Sequence, residues 1–346
     1  MPSFRSNCRS SFFCLPVASA VSSALLLGIA GHSSAADIKS VALPPGRSVM
    51  AAASATAPVP VPDIGISPFT GLPGRLGPVL AVKIDNVRAA RPHTGVEAAD
   101  LVYVEQVEAG QSRILAVYSS RMPSKIGPVR SARESDLELL RQFGKPLLAY
   151  SGSQTALKPL IEKAPVFALP PEAAPEAFTR DPSRFAPHNL YLNPLKAQAA
   201  APESHSAKDI GFRFGPPPPG GTALNTRTVR FPAATFDFTW SGKRHQWMVS
   251  MDGEAYRTPA GTAVGTPTVV VQNVDVRPSR FKDRWGSVSP YTKTVGKGTA
   301  TILRNGRSFK ANWSRPNAEA KTTFTTPTGE PMNFAPGQVW ILLTAR

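Results

Sequence analysis

The chain has 346 residues, 42% of them apolar, and Lys and Arg outnumber Asp and Glu by 39 to 23. About two domains of ordinary size are expected at this length, with enough apolar residues to bury a core. The only two cysteines, Cys8 and Cys14, lie near the N-terminus, which excludes a disulfide scaffold. A single apolar stretch, also N-terminal, approaches the length of a membrane span, which excludes a polytopic membrane protein.

The N-terminal segment has the order of features that is typical of a secretory leader. It starts with the basic residues Arg5 and Arg9 and continues with an uncharged apolar run over 12–31. Small residues follow at 33–36. This order predicts a signal peptide over 1–36, cleaved near Ala35 or Ala36, and an extracytoplasmic protein that is secreted or associated with the cell wall. An uncleaved anchor is the alternative, although Pro and Ser residues weaken the run as a span. Cleavage would leave 37 basic and 23 acidic residues, a formal charge of +14, and no thiol.

Two segments of biased composition divide the rest of the chain. Residues 37–66 predict a disordered Ala/Pro tether, and residues 213–221, which contain four consecutive prolines, predict a Pro/Gly linker. An α/β domain over 67–212 and a β-rich domain over 222–346 are therefore expected, with no membrane span in the mature chain.

Strand and helix patterns alternate in the first predicted domain. A buried strand is predicted over 79–84, followed by a hairpin of strands over 101–107 and 113–119. Ser131 and Glu134 then fit a capping box at the start of a helix. This alternation predicts an α/β layer with a mixed sheet.

The second predicted domain has the two-residue period of strands. Phe236, Phe238 and Trp240 alternate with polar residues, and Asp252-Gly253 and Asn305-Gly306 are strong hairpin turns. We therefore predict an antiparallel sheet here. The fold class expected for the whole chain is α+β, with the α/β domain first and the β-rich antiparallel domain second.

Several short strings carry a family resemblance. They are Ser67-Pro-Phe-Thr-Gly-Leu72, Val82-Lys-Ile-Asp-Asn86, Ile126-Gly-Pro-Val-Arg-Ser-Ala-Arg133, Ala186-Pro-His-Asn-Leu-Tyr191 and Gly337-Gln-Val-Trp-Ile341. Over about 67–346 the chain resembles the bacterial YerB-like lipoproteins, the domain-of-unknown-function family 3048. The resemblance implies two domains outside the cytoplasm and no agreed biochemical activity. The chain lacks the lipidated cysteine of that pattern at its predicted cleavage point, which implies release or another mode of retention.

The strongest candidate for ligand binding is the string Arg130-Ser131-Ala132-Arg133. If Ser131 opens a helix, free backbone N–H groups and two guanidinium groups meet there and suit a carboxylate or a phosphate. The alternative is that Ser131, Glu134 and Asp136 satisfy the helix end and that the arginines pair with acids inside the domain.

A second candidate is His188-Asn189, which follows Pro187. His188 suits a general base or a hydrogen-bonding group for a ligand, although a histidine in a tight loop is often structural. Asp85 follows the first buried strand, where open α/β sheets place ligands, or it belongs to an Asx turn with Asn86.

Other catalytic arrangements are weaker. Glu105 and Glu108 suggest paired carboxylates, but residues three apart in a strand point to opposite faces, and Glu108 could instead pair with Arg113 across the hairpin turn. A Ser-His-Asp set could be assembled from Ser151 or Ser153, His188, and Asp85 or Asp100, without a nucleophile elbow to support it. No metal or cofactor is expected. Oxygen ligands at Asp85 or Glu105 resemble no known Ca²⁺ loop.

The positive charge calls for an anionic partner. A basic segment around Phe281 and Trp285 would suit nucleic acid in the cytosol, but export favours anionic wall polymers or an envelope protein instead, and nucleic acid is not expected. Its basic residues are Arg277, Arg280, Lys282 and Arg284. A solvated loop is the alternative, and Trp240, Trp247 and Trp313 are expected in the core rather than on a sugar-binding surface.

The sequence thus predicts a non-enzymatic envelope protein that binds an anionic wall component or a wall-assembly partner through Arg130, Ser131, Arg133, His188 and Asn189. The second hypothesis is a hydrolase of wall glycan or peptide that uses His188 with Glu105 or Asp85.

Overall fold

The structure, a computed structural model, describes residues 64–283 and 286–346. The predicted signal peptide and residues 37–63 of the predicted tether lie outside the described residues. The last three residues of the predicted tether form a strand, since Ile64–Ile66 pairs in antiparallel register with Pro73–Arg75. The backbone hydrogen bonds of this small ribbon move the beginning of the ordered chain ahead of residue 67.

The first half of the described chain contains nine strands and three short α-helices. The strands are β1 (Ile64–Ile66), β2 (Pro73–Arg75), β3 (Leu80–Asp85), β4 (Leu101–Gln106), β5 (Ser112–Tyr118), β6 (Leu147–Ala149), β7 (Phe167–Leu169), β8 (Phe178–Arg180) and β9 (Leu190–Leu192). The helices are α1 (Glu134–Leu140), α2 (Lys158–Lys163) and α3 (Pro194–Ala199). Short 3-10 turns lie at Arg88–Ala90, Val96–Ala98, Glu108–Gly110, Arg141–Phe143, Thr155–Leu157 and Pro175–Ala177.

The second half consists of strands. These are β10 (Thr222–Ala223), β11 (Thr226–Phe231), β12 (Ala234–Ser241), β13 (Gln246–Met251), β14 (Glu254–Ala255), β15 (Gly265–Thr266), β16 (Thr268–Lys282), β17 (Val288–Lys293), β18 (Gly296–Arg304), β19 (Arg307–Arg315), β20 (Thr323–Thr325) and β21 (Val339–Ala345). The two predicted turns occur as expected, because Asp252-Gly253 and Asn305-Gly306 have positive φ at both residues, as a tight hairpin requires.

One mixed sheet runs through both predicted domains. Its order is β10-β19-β18-β16-β21-β4-β5-β3-β6-β7, with β17 on β16 and β20 on β19. The predicted mixed sheet and the hairpin of β4 and β5 are confirmed. The C-terminal region is not purely antiparallel, however, because β21 lies parallel to both β16 and β4. Its uninterrupted apolar run, Val339-Trp-Ile-Leu-Leu343, is buried on both faces, as is typical of a central parallel strand.

The two faces of the mixed sheet are covered by different structures. The antiparallel sheet β11-β12-β13-β14, with β15 beside β13, covers one face of the mixed sheet. Its apolar residues form one core cluster with Leu80, Val82 and Ile84 of β3. Helices α1 and α2 pack on the other face, together with Ala81. Side chains alternate along a strand, so Lys83 and Asp85 belong to the helical face. Two charged residues of one strand therefore lie under α1 and the loop that precedes it.

The helix start differs from the prediction in one detail. Helix α1 begins at Glu134 with Arg133 as its N-cap residue, and the Asp136 carboxylate accepts the Arg133 backbone N–H at 2.7 Å. The predicted Ser131–Glu134 capping box is therefore wrong by two residues. The helix ends as expected near Gly144, whose φ of +83° disfavours any residue with a Cβ.

Candidate functional site

A row of three charged side chains crosses the sheet beneath α1. Asp85 of β3 lies opposite Arg113 of β5, and Arg113 in turn lies opposite Glu105 of β4. Directly opposed residues of antiparallel strands share a face, so all three side chains lie on the helical side. We call these residues the charged row. The predicted candidates Asp85 and Glu105 are thus brought onto one surface by strand register alone.

The Glu105 end of the row is closed. Lys83 is fully buried and forms ion pairs with Glu105 and with Asp136, the latter at 2.7 Å. Burial raises the pKa of the Glu105 carboxyl, and the adjacent Lys83 ammonium opposes that shift. We call Lys83, Glu105 and Asp136 the closed end. Because all three charges are buried and paired with one another, this end ties α1 to the sheet.

Glu108 occupies the turn between β4 and β5, so the alternation of a strand does not apply to it. Arg133 contacts its carboxylate through Nε at 3.1 Å and Nη2 at 2.7 Å, and the Ser289 hydroxyl also donates to it. Burial alone would raise the pKa of Glu108, but Arg133 and Ser289 outweigh it and lower that pKa to about 2. Glu108 therefore pairs with Arg133, and the pairing of Glu108 with Arg113 across the hairpin turn, which the sequence suggested, is wrong.

Each of the three guanidinium nitrogens of Arg133 contacts an oxygen of the protein. Besides the two contacts with Glu108, its Nη1 donates to the carbonyls of Ser131 at 3.3 Å and Ala132 at 2.9 Å. Arg113 also donates to the Ser131 carbonyl, at 3.0 Å, and burial with the nearby Arg133 charge lowers the pKa of Arg113 to about 9. Asp136 therefore accepts a hydrogen bond at the helix start and Glu108 pairs with Arg133, as in the alternative where the arginines pair with acids inside the domain.

The Asp85 end of the row is open. One carboxylate oxygen, Oδ2, lies 3.0 Å from Nε of Arg130 and 2.7 Å from Nδ1 of His188. The Asp85 side chain is 2% exposed, whereas those of Arg130 and His188 are 24% and 22% exposed. Among the residues that the structure describes, the terminal nitrogens of Arg130 and Nε2 of His188 have no hydrogen-bond partner. We call Asp85, Arg130 and His188 the open end.

The loop that carries His188 is held in place by its neighbours. The Asn189 side chain donates to the carbonyls of Asp181 at 3.1 Å and Arg184 at 3.0 Å, and it accepts from Arg180 at 2.8 Å. Arg184 donates to the Tyr191 hydroxyl at 2.6 Å and to carbonyls of residues 89, 91 and 92. Asn189 is therefore used by the loop itself, and it fixes the position of His188.

A buried histidine lies beneath Asp85. Nε2 of His93 is 2.7 Å from the Asp85 carbonyl oxygen, which can only accept, so Nε2 carries the proton. Nδ1 then accepts from the Tyr256 hydroxyl at 3.0 Å. Burial, followed by the Arg91 charge, lowers the pKa of His93 to about 3. A neutral histidine thus joins the backbone of the open end to the segment that follows β14.

The remaining serine and aspartate candidates are placed differently. Ser151 and Gly152 run beside the open end, since the Ser151 N–H donates to the Arg130 carbonyl at 3.0 Å. Among the described residues no serine is hydrogen-bonded to His188, so a Ser-His-Asp set is not closed there. Asp100 precedes β4 and accepts from the N–H groups of Ser119 and Ser120. Asp100 lies about 17 Å along that strand from Glu105 and the charged row, so it is too far away to contact His188.

The basic segment and the tryptophans have structural surroundings. Arg277 stacks on Tyr291, and Phe281 is buried, with residues 284 and 285 outside the described chain. Trp247 and Trp313 are buried as predicted, and Trp240 packs against Trp247. Within the described ranges, no three His, Cys, Asp or Glu side chains gather as a metal site would need.

Two participants of this site, Lys83 and His93, were not singled out from the sequence. Arg113 and Asp136 were named there only as partners of other residues. A lysine inside the apolar strand Val79-Leu-Ala-Val-Lys-Ile84 is itself a signal, because a buried lysine needs a carboxylate partner. His93 carries no local signal of this kind, since both of its hydrogen-bond partners lie in other segments.

The fold and these strings define the family. Models of the family described as "Protein of unknown function (DUF3048)" match twice, its N-terminal domain over residues 69–207 and its C-terminal domain over residues 227–341. The chain belongs to the DUF3048 family, which confirms the predicted resemblance and its two-domain layout.

One relative, known from both its sequence and its crystal structure, gives the family a particular member for comparison. The chain is 25% identical over 272 residues to the Bacillus subtilis (strain 168) protein described as "Putative lipoprotein YerB", covering 76% of this chain and 80% of that protein. The fold of this chain is similar to that in the crystal structure of YerB from Bacillus subtilis. The TM-score is 0.69, and the match covers 80% of this chain and 96% of that one at 22% identity. Within the described residues, no helix is long and apolar enough to cross a membrane.

Proposed function

We propose that this protein is an exported cell-envelope protein that binds an anionic wall component, without catalysis, at the open end. The observation that carries the proposal is the shared oxygen of Asp85. Because Arg130 Nε and His188 Nδ1 contact the same oxygen, at 3.0 and 2.7 Å, the two side chains are held next to each other. Their remaining nitrogens have no partners among the described residues and are available to a ligand.

The charges of the site favour an anion. The cluster contains four acids, Asp85, Glu105, Glu108 and Asp136, and four permanent bases, Lys83, Arg113, Arg130 and Arg133. These formal charges balance, so the acids leave no net negative charge that would repel an anion. The outer N–H groups of the Arg130 guanidinium match a carboxylate or phosphate.

An exposed aromatic residue lies in the same turn as His188. Phe185 is 92% exposed, and the His188 N–H donates to the Phe185 carbonyl at 3.0 Å. This hydrogen bond closes a four-residue turn, which brings the two α-carbons within about 7 Å. A ligand bound at Arg130 and His188 would meet Phe185 with an apolar group or a sugar ring. In this proposal Arg133, the Ser131 carbonyl and Asn189 position the two donors and do not contact the ligand.

The location follows from independent features. The predicted leader, the formal charge of +14 on the predicted mature chain, and a relative described as a lipoprotein all support an envelope protein. Attraction between a basic protein and an anionic polymer weakens as salt is added.

The test is a binding assay of the protein with purified cell-wall sacculi, with and without their anionic polymers, over a salt titration. We expect polymer-dependent, salt-sensitive binding that Arg130→Gln weakens about tenfold, because hydrogen bonds to a charged ligand are lost. Phe185→Ser should weaken it by a smaller factor. The matched control is Lys310→Gln, which removes one exposed positive charge from β19. Equal binding by Arg130→Gln and Lys310→Gln would contradict the proposal.

A hydrolase is the second candidate, and one observation favours it. A carboxylate that holds Nδ1 of a histidine while Nε2 stays accessible is the arrangement of a general base. Asp85 suits this role and Glu105 does not, because Glu105 is buried against Lys83. Mass spectrometry of the same samples distinguishes the candidates. Soluble fragments that disappear with His188→Gln would identify an enzyme, and the absence of fragments alongside Arg130-dependent binding would support the binding protein.

A further inference from the structure

A cavity of about 810 Å³ lies near the same ends of β3 and β5 as the open end, but on the side of the antiparallel sheet. Its walls come from the segment after β3, the turn before β5, the hairpin of β11 and β12, and the turn at Gly253. Ser112 lines this cavity and is adjacent in β5 to Arg113 of the charged row. Adjacent side chains of a strand point to opposite faces, so the cavity and the charged row lie on opposite faces of β5. This volume is within the range of ligand-binding pockets.

Part of the charge around this cavity is already paired. Arg91 contacts Asp252 at 2.8 Å and donates to the side chain and the carbonyl of Asn86. Arg88 contacts Glu254 at 3.2 Å. These pairs join the two halves of the chain across the cavity and leave little charge for a ligand.

Two other charges in the wall are not paired with each other. Arg230 of β11 has no hydrogen bond or ion pair with any described residue. Asp237 of β12 accepts from the Thr228 hydroxyl at 2.6 Å through Oδ1, and its second oxygen has no partner among the described residues. Thr228 lies opposite Asp237 and Arg230 opposite Thr235, so Arg230 and Asp237 are diagonal neighbours on one face, about 7–8 Å apart at their α-carbons.

We propose that this cavity binds a zwitterionic, peptide-like ligand, with its carboxylate on Arg230 and its ammonium on Asp237. An extended dipeptide spans about 7 Å, which is similar to the distance between the α-carbons from which the two charged side chains extend. Hydroxyl and amide groups of Ser112, Thr235 and Gln111 line the same space and suit peptide N–H and C=O groups. Phe231, the aromatic ring in the described wall, is 7% exposed and offers no surface for stacking on a sugar.

The experiment measures the affinity of the full chain for alanyl-alanine, its N-acetyl derivative and its C-terminal amide by ligand-observed NMR titration. Blocking either terminus should weaken binding at least about tenfold, since each block removes one charge-assisted contact. Arg230→Gln should remove the preference for the free carboxylate while it keeps the preference for the free ammonium. Asp237→Asn, which retains an oxygen for Thr228, should do the reverse.

Two control variants make the result specific. Arg227→Gln removes an exposed charge from the opposite face of the same strand and should leave both preferences unchanged. Arg130→Gln should also leave dipeptide binding unchanged, which separates this cavity from the open end. Equal affinity for the free and blocked dipeptides, no saturable binding of the free dipeptide, or unchanged preferences in both cavity variants would overturn the proposal. Thermal unfolding of each variant shows that the fold is retained.

Discussion

The closed end and the open end of the charged cluster both pair carboxylates with basic side chains, and they differ in how deeply those basic side chains are buried. At the closed end Lys83 is fully buried, with carboxylates of Glu105 and Asp136 as partners. At the open end one Asp85 oxygen serves two partners, each of which is more than a fifth exposed and has nitrogens to spare. A fully buried charge with carboxylate partners holds the fold together, whereas a partly exposed charge with unpartnered nitrogens is available to a ligand.

The largest expected effect comes from breaking the closed end. Lys83→Met leaves Glu105 and Asp136 buried without their cation, and removing one partner of a buried ion pair costs about 3–5 kcal/mol. Denaturant unfolding should therefore show a loss of this size. Lys163→Met, at the exposed end of α2, is the matched control and should change the free energy of unfolding by less than about 0.5 kcal/mol. A loss below about 1 kcal/mol for Lys83→Met would show that the closed end does not stabilise the fold.

The next effect concerns His93, which supports the open end from below. Its pKa falls from 6.5 to about 3 on folding, so the unfolded chain binds more protons between these pH values. The stability that neutral His93 contributes is therefore present above pH 6.5 and is lost as the pH falls toward 3. One proton gives a slope of up to about 1.4 kcal/mol per pH unit. Urea unfolding from pH 7 to pH 4 should show this slope, and His93→Gln should reduce it. An equal slope in that variant would assign the acid sensitivity to other groups.

The smallest effect on stability is expected at the open end. Arg130→Gln removes a partly exposed partner from Asp85, which keeps His188, and should cost about 1 kcal/mol or less. The same denaturant unfolding measures it, with Lys310→Gln as the reference. A loss as large as that of Lys83→Met would mean that Arg130 is structural, and it would remove the contrast between the two ends.

Much of the local structure could be predicted because its signals lie within a few residues. The apolar run of β3, the alternation at Phe236 and Phe238, and the Asn305-Gly306 turn each depend on the backbone preferences of adjacent residues. The helix starts two residues later than predicted, with Arg133 as the N-cap residue, and the Asp136 carboxylate accepts the Arg133 N–H there. The parallel pairing of β21 with β4 could not be predicted from local signals, since it joins strands more than 200 residues apart.

Six of the candidate residues lie close together in the structure, but the partner of each could not be predicted. Arg130, Arg133, His188, Asp85, Glu105 and Glu108 were all named from chemistry, and all lie in or next to one charged cluster. Arg130 and Arg133 were expected to act together, but Glu108 engages Arg133 and leaves Arg130 at the open end. Which of two similar arginines has donors to spare depends on a carboxylate that comes from another strand.

The amino-acid sequence alone predicted an export signal, and it determined many of the strands and turns, the membership of the family and the types of residue that could meet a ligand. These follow from composition, periodicity and short strings, all of which are local properties of the chain. Only the tertiary structure decided which charges pair, because His188 and Asp85 are 103 residues apart and meet through strand register and loop packing. Pairing energies between such distant residues depend on burial and distance, and both exist only once the sheet is formed.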